Sequence, residues 1–284
     1  MPGGVTTPQG TFAGINPAHP SRFGWFPVVD ARREIQKERA KFARARRAEA
    51  QYAVNLRKIA RHIGEIVRGM MPGLFDPSVL AEIERALSDY ARLIGPWASA
   101  TAARMLSDVE RRDRAVWSEH GRKIGRLLRQ EIETAPIAPA FQEYQRSQVG
   151  LIKSLPEDAA LRVHELSTEA MLGGRRWEEI AEDILASGQV SKSKANLIAR
   201  TESSRAQTNF TAIRAQHIGS EGYIWWAVMD KDTRPRHREL NGTPQRWDDP
   251  PVASEPGQKE MRYHAGAGPN CRCHCEPIIP ALED

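Results

Sequence analysis

From Ala31 to about Arg68 the chain carries no proline, and Ala, Arg, Lys and Glu dominate it. Apolar residues recur there at Ile35, Phe42, Ala45, Tyr52, Leu56, Ile59, Ile63 and Ile66, close to the helical period. The stretch predicts one long helix with a soft joint near Gly64. At about 1.5 Å per residue it would span roughly 50 Å or more, further than a compact domain needs, so a projecting rod or an assembly contact is expected. Proline and glycine punctuate the chain beyond Arg68. Met71-Pro72-Gly73 ends this helix, and Asp76-Pro77 opens the next, to about Ile94, with an N-cap and a first-turn proline. Gly95-Pro96 breaks again before an Arg/Glu-rich helical stretch to Glu133, closed by Pro136 and Pro139. Shorter helices are predicted at 141–153, 157–172 and 175–186, with Gly173-Gly174 and Gly188 as stops.

A chain of 284 residues can bury a real core and suits two domains. Residues 1–30 are rich in Pro, Gly and Thr, with Phe12, Phe23, Trp25 and Phe26 among them, and predict an extended arm. No stretch reaches the apolar length of about 20 residues that a membrane span needs, and the N-terminus lacks the apolar core of a signal peptide. All three cysteines lie between 271 and 275, which fits a reducing compartment better than a disulfide framework.

The C-terminal third changes character. A helix from about Ser191 to His217 places Ala195, Ile198, Ala199, Ala206, Phe210 and Ile213 on one stripe, and Glu202 falls on the same stripe. A carboxylate there is costly unless paired, so an arginine from the segment 234–272 is expected to meet it. Tyr223–Met229 and Cys271–Glu276 have the bias of strands, with Asn241-Gly242, Pro250-Pro251 and Glu255-Pro256-Gly257 supplying turns between them. The fold class expected is a mainly α N-terminal region with long helices, followed by a small α+β C-terminal domain. Its divisions are an arm at 1–30, a helical region at 31–190 and the small domain at 191–284.

Four motifs of that last third resemble the Mu F-like family of phage head morphogenesis, or minor head, proteins. They are Ala199-Arg200-Thr201-Glu202 with Asn209, Gly222-Tyr223-Ile224-Trp225, the run from Asp230 through Thr233-Arg234-Pro235, His237 and Leu240 to Asn241-Gly242, and Pro269-Asn270-Cys271-Arg272-Cys273 with Pro277. The resemblance covers roughly residues 155–280. It implies a structural protein of the virion head interior that assembles in the host cytoplasm. Portal protein and other head proteins are the implied partners, with double-stranded DNA as a sequence-independent option and no membrane. Cys275 is an addition to the family's Cys-Arg-Cys.

Three groups of side chains carry candidate chemistry. The basic run that includes Arg32, Arg33, Lys37, Arg44, Arg47, Arg57, Lys58 and Arg61 could touch phosphates or a partner, or simply be a solvated helix face. Cys271, Cys273 and Cys275 alternate along a strand, so their thiols share one side, and His237 or His264 could complete a zinc site. Cys-x-Cys lacks the usual two-residue spacing, and the alternative is small buried residues packed against Trp225 or Trp226 with no cofactor. Arg200, Glu202, Asp230, Arg234 and His237 could be a structural polar network, with Arg234 on Glu202, Asp230 in a turn and His237 on a backbone carbonyl. The alternative is a metal-dependent nuclease or hydrolase; the structural reading assigns no catalytic residue.

Overall fold

The computed structural model describes residues 45–71, 79–124, 130, 132–171 and 177–279. Among the described residues the helices that come first are α1 (Arg46–Met70), α2 (Val79–Leu93), α3 (Gly95–Ile124), α4 (Ile137–Met171), α5 (Trp177–Leu185) and α6 (Ser187–His217), with further helical residues at 130 and 132–134. Then come β1 (Gly222–Trp226), the short α7 (Pro235–Glu239), β2 (Pro244–Arg246) and β3 (His274–Pro277). The mainly α part with long helices followed by a small α+β part is the architecture the sequence predicts.

The long basic helix departs from expectation. Its described part, α1, buries Tyr52, Leu56, Ile59, Ile63 and Val67, which is worth on the order of 10 kcal/mol before chain entropy. α1 therefore packs into the bundle, chiefly against α6, rather than projecting as a rod. Gly64 is no joint. A Cβ on Gly188 would lie 3.0 Å from Gly64 Cα and 3.3 Å from the Ala60 carbonyl, so the two glycines let the helix backbones cross closely. The break expected near Gly188 falls at Ala186, between α5 and α6, and Gly188 sits in the first turn of α6.

The two helices expected at 141–153 and 157–172 are one. α4 runs through Pro156, which gives up one backbone hydrogen bond at a cost of about 3 kcal/mol. Ile152, Leu155, Ala159, Ala160, Val163 and Leu166 are buried on either side of it, and their packing outweighs that local cost. Pro136 and Pro139 lie before and within the first turn of α4, where proline is tolerated.

Among the described residues the buried side chains form two clusters, and α6 contributes to both. Ala195, Ile198, Ala199, Ala206 and Phe210 belong to the helical core. Ala212 and Ala215 join Tyr223, Trp225, Trp247 and the three cysteines, together with Trp117 of α3. Enclosed between bundle and sheet, α6 is buried well beyond a single stripe: Ile213 is only half-buried while Arg214 is fully inside.

The sheet is antiparallel with order β2-β1-β3, and Trp225 stands opposite Cys275. β2 falls in the segment read as turns. Gly242, at φ 81°, makes the Asn-Gly turn and donates to the Trp225 carbonyl at 2.7 Å, which returns the chain alongside β1.

Candidate functional site

α6 carries two polar stripes in addition to its apolar surface. One is Thr201, Arg205 and Thr208, spaced four and three residues apart so that they share a face. All three grip the loop that leads to Cys271. Thr208 Oγ1 donates to the Ala265 carbonyl at 2.7 Å, Arg205 Nε to the Ala267 carbonyl at 3.1 Å, and Thr201 Oγ1 accepts from the Asn270 amide at 3.0 Å. Arg200 adds a bond to Asn270 Oδ1 at 2.8 Å. Asn270 has φ 55°, a left-handed conformation that asparagine tolerates better than most residues.

Glu202 is buried, as its place on the stripe predicts, but its partner is not Arg234. Oε1 accepts from Arg205 at 2.9 Å and Oε2 from Gln148 Nε2 at 2.8 Å. Gln148 in turn accepts from Tyr52 Oη at 3.0 Å. The chain of contacts thus runs from α1 through α4 and α6 to the 265–270 loop. Glu202→Ala would strand the buried Gln148 amide, while Arg205, a third exposed, can turn to solvent. The expected cost is about 2 kcal/mol, read as a lower urea midpoint in circular dichroism of the whole helical signal.

Gln207, Thr211 and Arg214 form the second stripe, and it converges on Asp113 of α3. Gln207 Nε2 reaches Asp113 Oδ1 at 2.7 Å, Thr211 Oγ1 reaches it at 2.5 Å, and the Arg214 guanidinium is paired with both Asp113 and, at 2.7 Å, Glu110. Sequence reasoning missed this knot. Its only signal was the spacing of Gln207, Thr211 and Arg214 on a helix already read as buried.

Asp113 and His264 give opposed pH dependences. Burial, only partly offset by Arg214, pushes the Asp113 carboxyl up from 3.8 to about 6. The folded state holds a proton that the unfolded chain has released, so this stability is complete below pH 3.8 and lost as pH rises through about 6. Burial pushes His264 from 6.5 down to about 4, so its contribution is present above pH 6.5 and lost as pH falls through about 4. Asp113→Asn removes the first and leaves the second. It should therefore steepen the loss of stability between pH 6 and pH 4 by roughly 2 kcal/mol relative to the parent chain, measurable by urea titrations at the two pH values.

Asp230 makes the turn expected of it. Its Oδ1 accepts from the Asp232 amide and from Thr233 Oγ1, both at 3.1 Å, and the Thr233 amide returns to the Asp230 carbonyl at 3.1 Å. Pro235 then starts α7. The ion-pair partner of Asp230 is Arg272, which grips it with both terminal nitrogens and holds its carboxyl below the usual carboxylate range. Arg234 donates to the Pro269 carbonyl at 2.8 Å instead of meeting Glu202.

His237 is buried on α7, with its ring edge-on to Trp225 at 5.3 Å. Nε2 faces Tyr263 Oη at 3.1 Å rather than a backbone carbonyl, and Tyr263 Oη itself donates to the Ala253 carbonyl at 3.0 Å. With that hydroxyl proton committed, Nε2 carries the proton and donates, leaving the Nδ1 lone pair free. Nδ1 faces Cys273 Sγ at 3.4 Å and Cys271 Sγ at 3.7 Å. The hydrogen bond from Cys273 is the first cause that holds the Cys271 thiol well below its ordinary range, and the same bond holds Cys273 above it. Of the expected zinc ligands, Cys275 points instead to the Ala265 carbonyl at 3.4 Å and His264 to Tyr223 Oη at 3.1 Å. The alternation along 271–275 buries all three cysteines, yet only two of the thiols meet His237.

Arg32, Arg33, Lys37 and Arg44 lie outside the described residues. Of the remaining basic run, Arg47, Lys58 and Arg61 are exposed on α1, whereas Arg57 donates to Asn196 Oδ1 of α6 at 3.0 Å. No described helix is long and apolar enough to cross a membrane.

Residues 162–276, from the second half of α4 into β3, match the family model described as Phage Mu protein F like protein. This segment of the chain is Mu F-like, as its motifs imply. Over 131 residues the chain is 28% identical to a Haemophilus influenzae protein named only as uncharacterised, covering 46% of this chain and 28% of that protein. Over 152 residues it is 28% identical to Minor head protein GP7 of Bacillus phage SPP1, covering 50% and 45% respectively. The chain thus spans less than half the length of these curated relatives. No solved structure matches it.

Proposed function

We propose that this chain is a minor head protein: a structural component of the phage head interior that joins the particle during assembly in the host cytoplasm and performs no catalysis. The observation that carries the reading is how the Mu F-like motifs use their polar groups. Arg200, Thr201, Glu202, Asp230, Arg234 and Arg272 are all engaged within the chain, binding the sheet and its loops to α6 or fixing the turn before α7. Similarity to the SPP1 minor head protein supports the same reading.

A metal-dependent nuclease would need carboxylates gathered around an ion. Among the described residues the close group of potential ligands is His237, Cys271 and Cys273, which contains none. The helical region is the part proposed to contact the portal and other head proteins. Arg47, Lys58 and Arg61, exposed along α1, offer positive charge to packaged DNA or to an acidic partner surface without reading sequence.

The test is the protein composition of purified procapsids and filled heads, with and without the gene for this chain. The chain is expected in both particles at low copy, retained through a high-salt wash and positioned at the portal vertex in labelled particles. Its absence from both, with the free protein nicking plasmid DNA, would overturn the reading.

A further inference from the structure

We propose that His237, Cys271 and Cys273 bind one thiophilic divalent cation of the zinc class, with His237 Nδ1 and two thiolate sulfurs as its protein donors. The proposal does not depend on the head-protein reading, since a virion component or any other protein could be held together this way.

The geometry is the first argument. A tetrahedral zinc with Zn–S of about 2.3 Å and Zn–N of about 2.05 Å places N and S roughly 3.6 Å apart. Nδ1 lies 3.4 Å from Cys273 Sγ and 3.7 Å from Cys271 Sγ, on either side of that value, and the three donor atoms all fall within 4.8 Å of one another. An ion fits among them with small shifts of side chains.

Orientation is the second. A metal-bound imidazole needs its other nitrogen protonated and donating to an outer partner, which fixes the ring. Tyr263 Oη fills that role for Nε2 and is itself locked on the Ala253 carbonyl. His237 therefore presents a lone pair, not a proton, to the two sulfurs.

Third, Trp225 lies edge-on to His237, and its buried indole Nε1–H is directed at the Cys273 sulfur, which favours the ionised form of that thiol. A metal-bound Cys273 thiolate would take that N–H bond far better than a thiol does.

The donor set selects the ion. One imidazole and two thiolates, with no carboxylate or carbonyl, suit zinc and its soft neighbours and not magnesium or calcium. On binding, each thiol releases its proton to solvent as its sulfur coordinates, and a water or an outside ligand completes the fourth position. The sequence separation gives the ion a use. It ties α7 to the segment entering β3, 34 and 36 residues apart along the chain, in a part of the fold where the three strands are five, three and four residues long.

The experiment uses the full chain, purified reduced and stripped of metal, and titrated with cobalt(II). One cobalt per chain is expected, with sulfur-to-cobalt charge-transfer absorption and the ligand-field bands of a four-coordinate site, both abolished by zinc. X-ray absorption of the zinc form should show two sulfurs and lighter atoms in the remaining positions. Cys273→Ser should weaken cobalt binding at least tenfold and diminish the charge-transfer band, and Cys275→Ser should keep both. Because both serines are buried, the absorption measurement on the unmodified chain decides the matter if a variant fails to fold. Absence of any cobalt band and of retained zinc overturns the proposal, as does a shell of three sulfurs.

Discussion

Asp113→Ala is expected to remove about 3–5 kcal/mol of stability, more than most single substitutions in this chain. Arg214, fully buried, would keep only Glu110, and the Gln207 amide and Thr211 hydroxyl would lose their shared acceptor. The pair itself adds little net stability. Burial raises the Asp113 carboxyl to about 6 despite the adjacent guanidinium, so desolvation exceeds the attraction. Asp113→Leu combined with Arg214→Met should accordingly recover most of what the single change loses. Equilibrium urea denaturation of the parent, the single and the double variant measures both effects. A double variant no better than the single one would mean that the knot contributes more than the solvation balance allows.

Gly266→Ala is expected to cost about 2–5 kcal/mol, adding left-handed backbone strain to overpacking. Gly266 has φ 85°, and a Cβ there would sit 2.7 Å from Thr208 Oγ1, 2.9 Å from the Cys273 carbonyl and 3.0 Å from Ser204 Oγ. Thr208 is the residue that holds the Ala265 carbonyl, so the methyl would prise the loop from α6 at the grip itself. Loss of near-ultraviolet signal from Trp225 and Trp247, with the midpoint in urea shifted down, is the readout. An unchanged midpoint would show that the loop has slack the close contacts deny.

Local signals in the sequence were faithful where packing agreed with them. The apolar period of α1, the Asn241-Gly242 turn, the Asp230 turn before Pro235 and the burial of Glu202 all stand in the structure. What stayed hidden is which groups meet across the chain. A carboxylate on a core stripe announces that it needs a partner, but Arg205 lies one turn away on the same helix while Arg234 lies in the motif. Nothing in the spacing ranks the two. Pro156 reads as a break because its local cost is visible in sequence and the packing that overrides it is not, whereas the break read near Gly188 stands at Ala186. Asp113 was overlooked for the opposite reason: it lies in a charged stretch with Glu110, Arg111, Arg112 and Arg114 that looks solvated, yet it is buried and bonded to three residues of α6. Within 271–275, alternation revealed that all three cysteines are buried, although only Cys275 lies in β3, and the choice of Cys271 and Cys273 over Cys275 depends on where α7 places His237.

The common thread is that the polar residues of α6 and of the Mu F-like motifs fasten the small sheet to the helical bundle, so that the two unfold together. Native-state hydrogen exchange on the full chain tests this most directly, by comparing the opening free energies of amides in β1 and β3 with those in α4 and α6. One shared value is expected, falling equally in all four elements on Glu202→Ala. A lower opening free energy confined to β1 and β3 and unmoved by that substitution would contradict it.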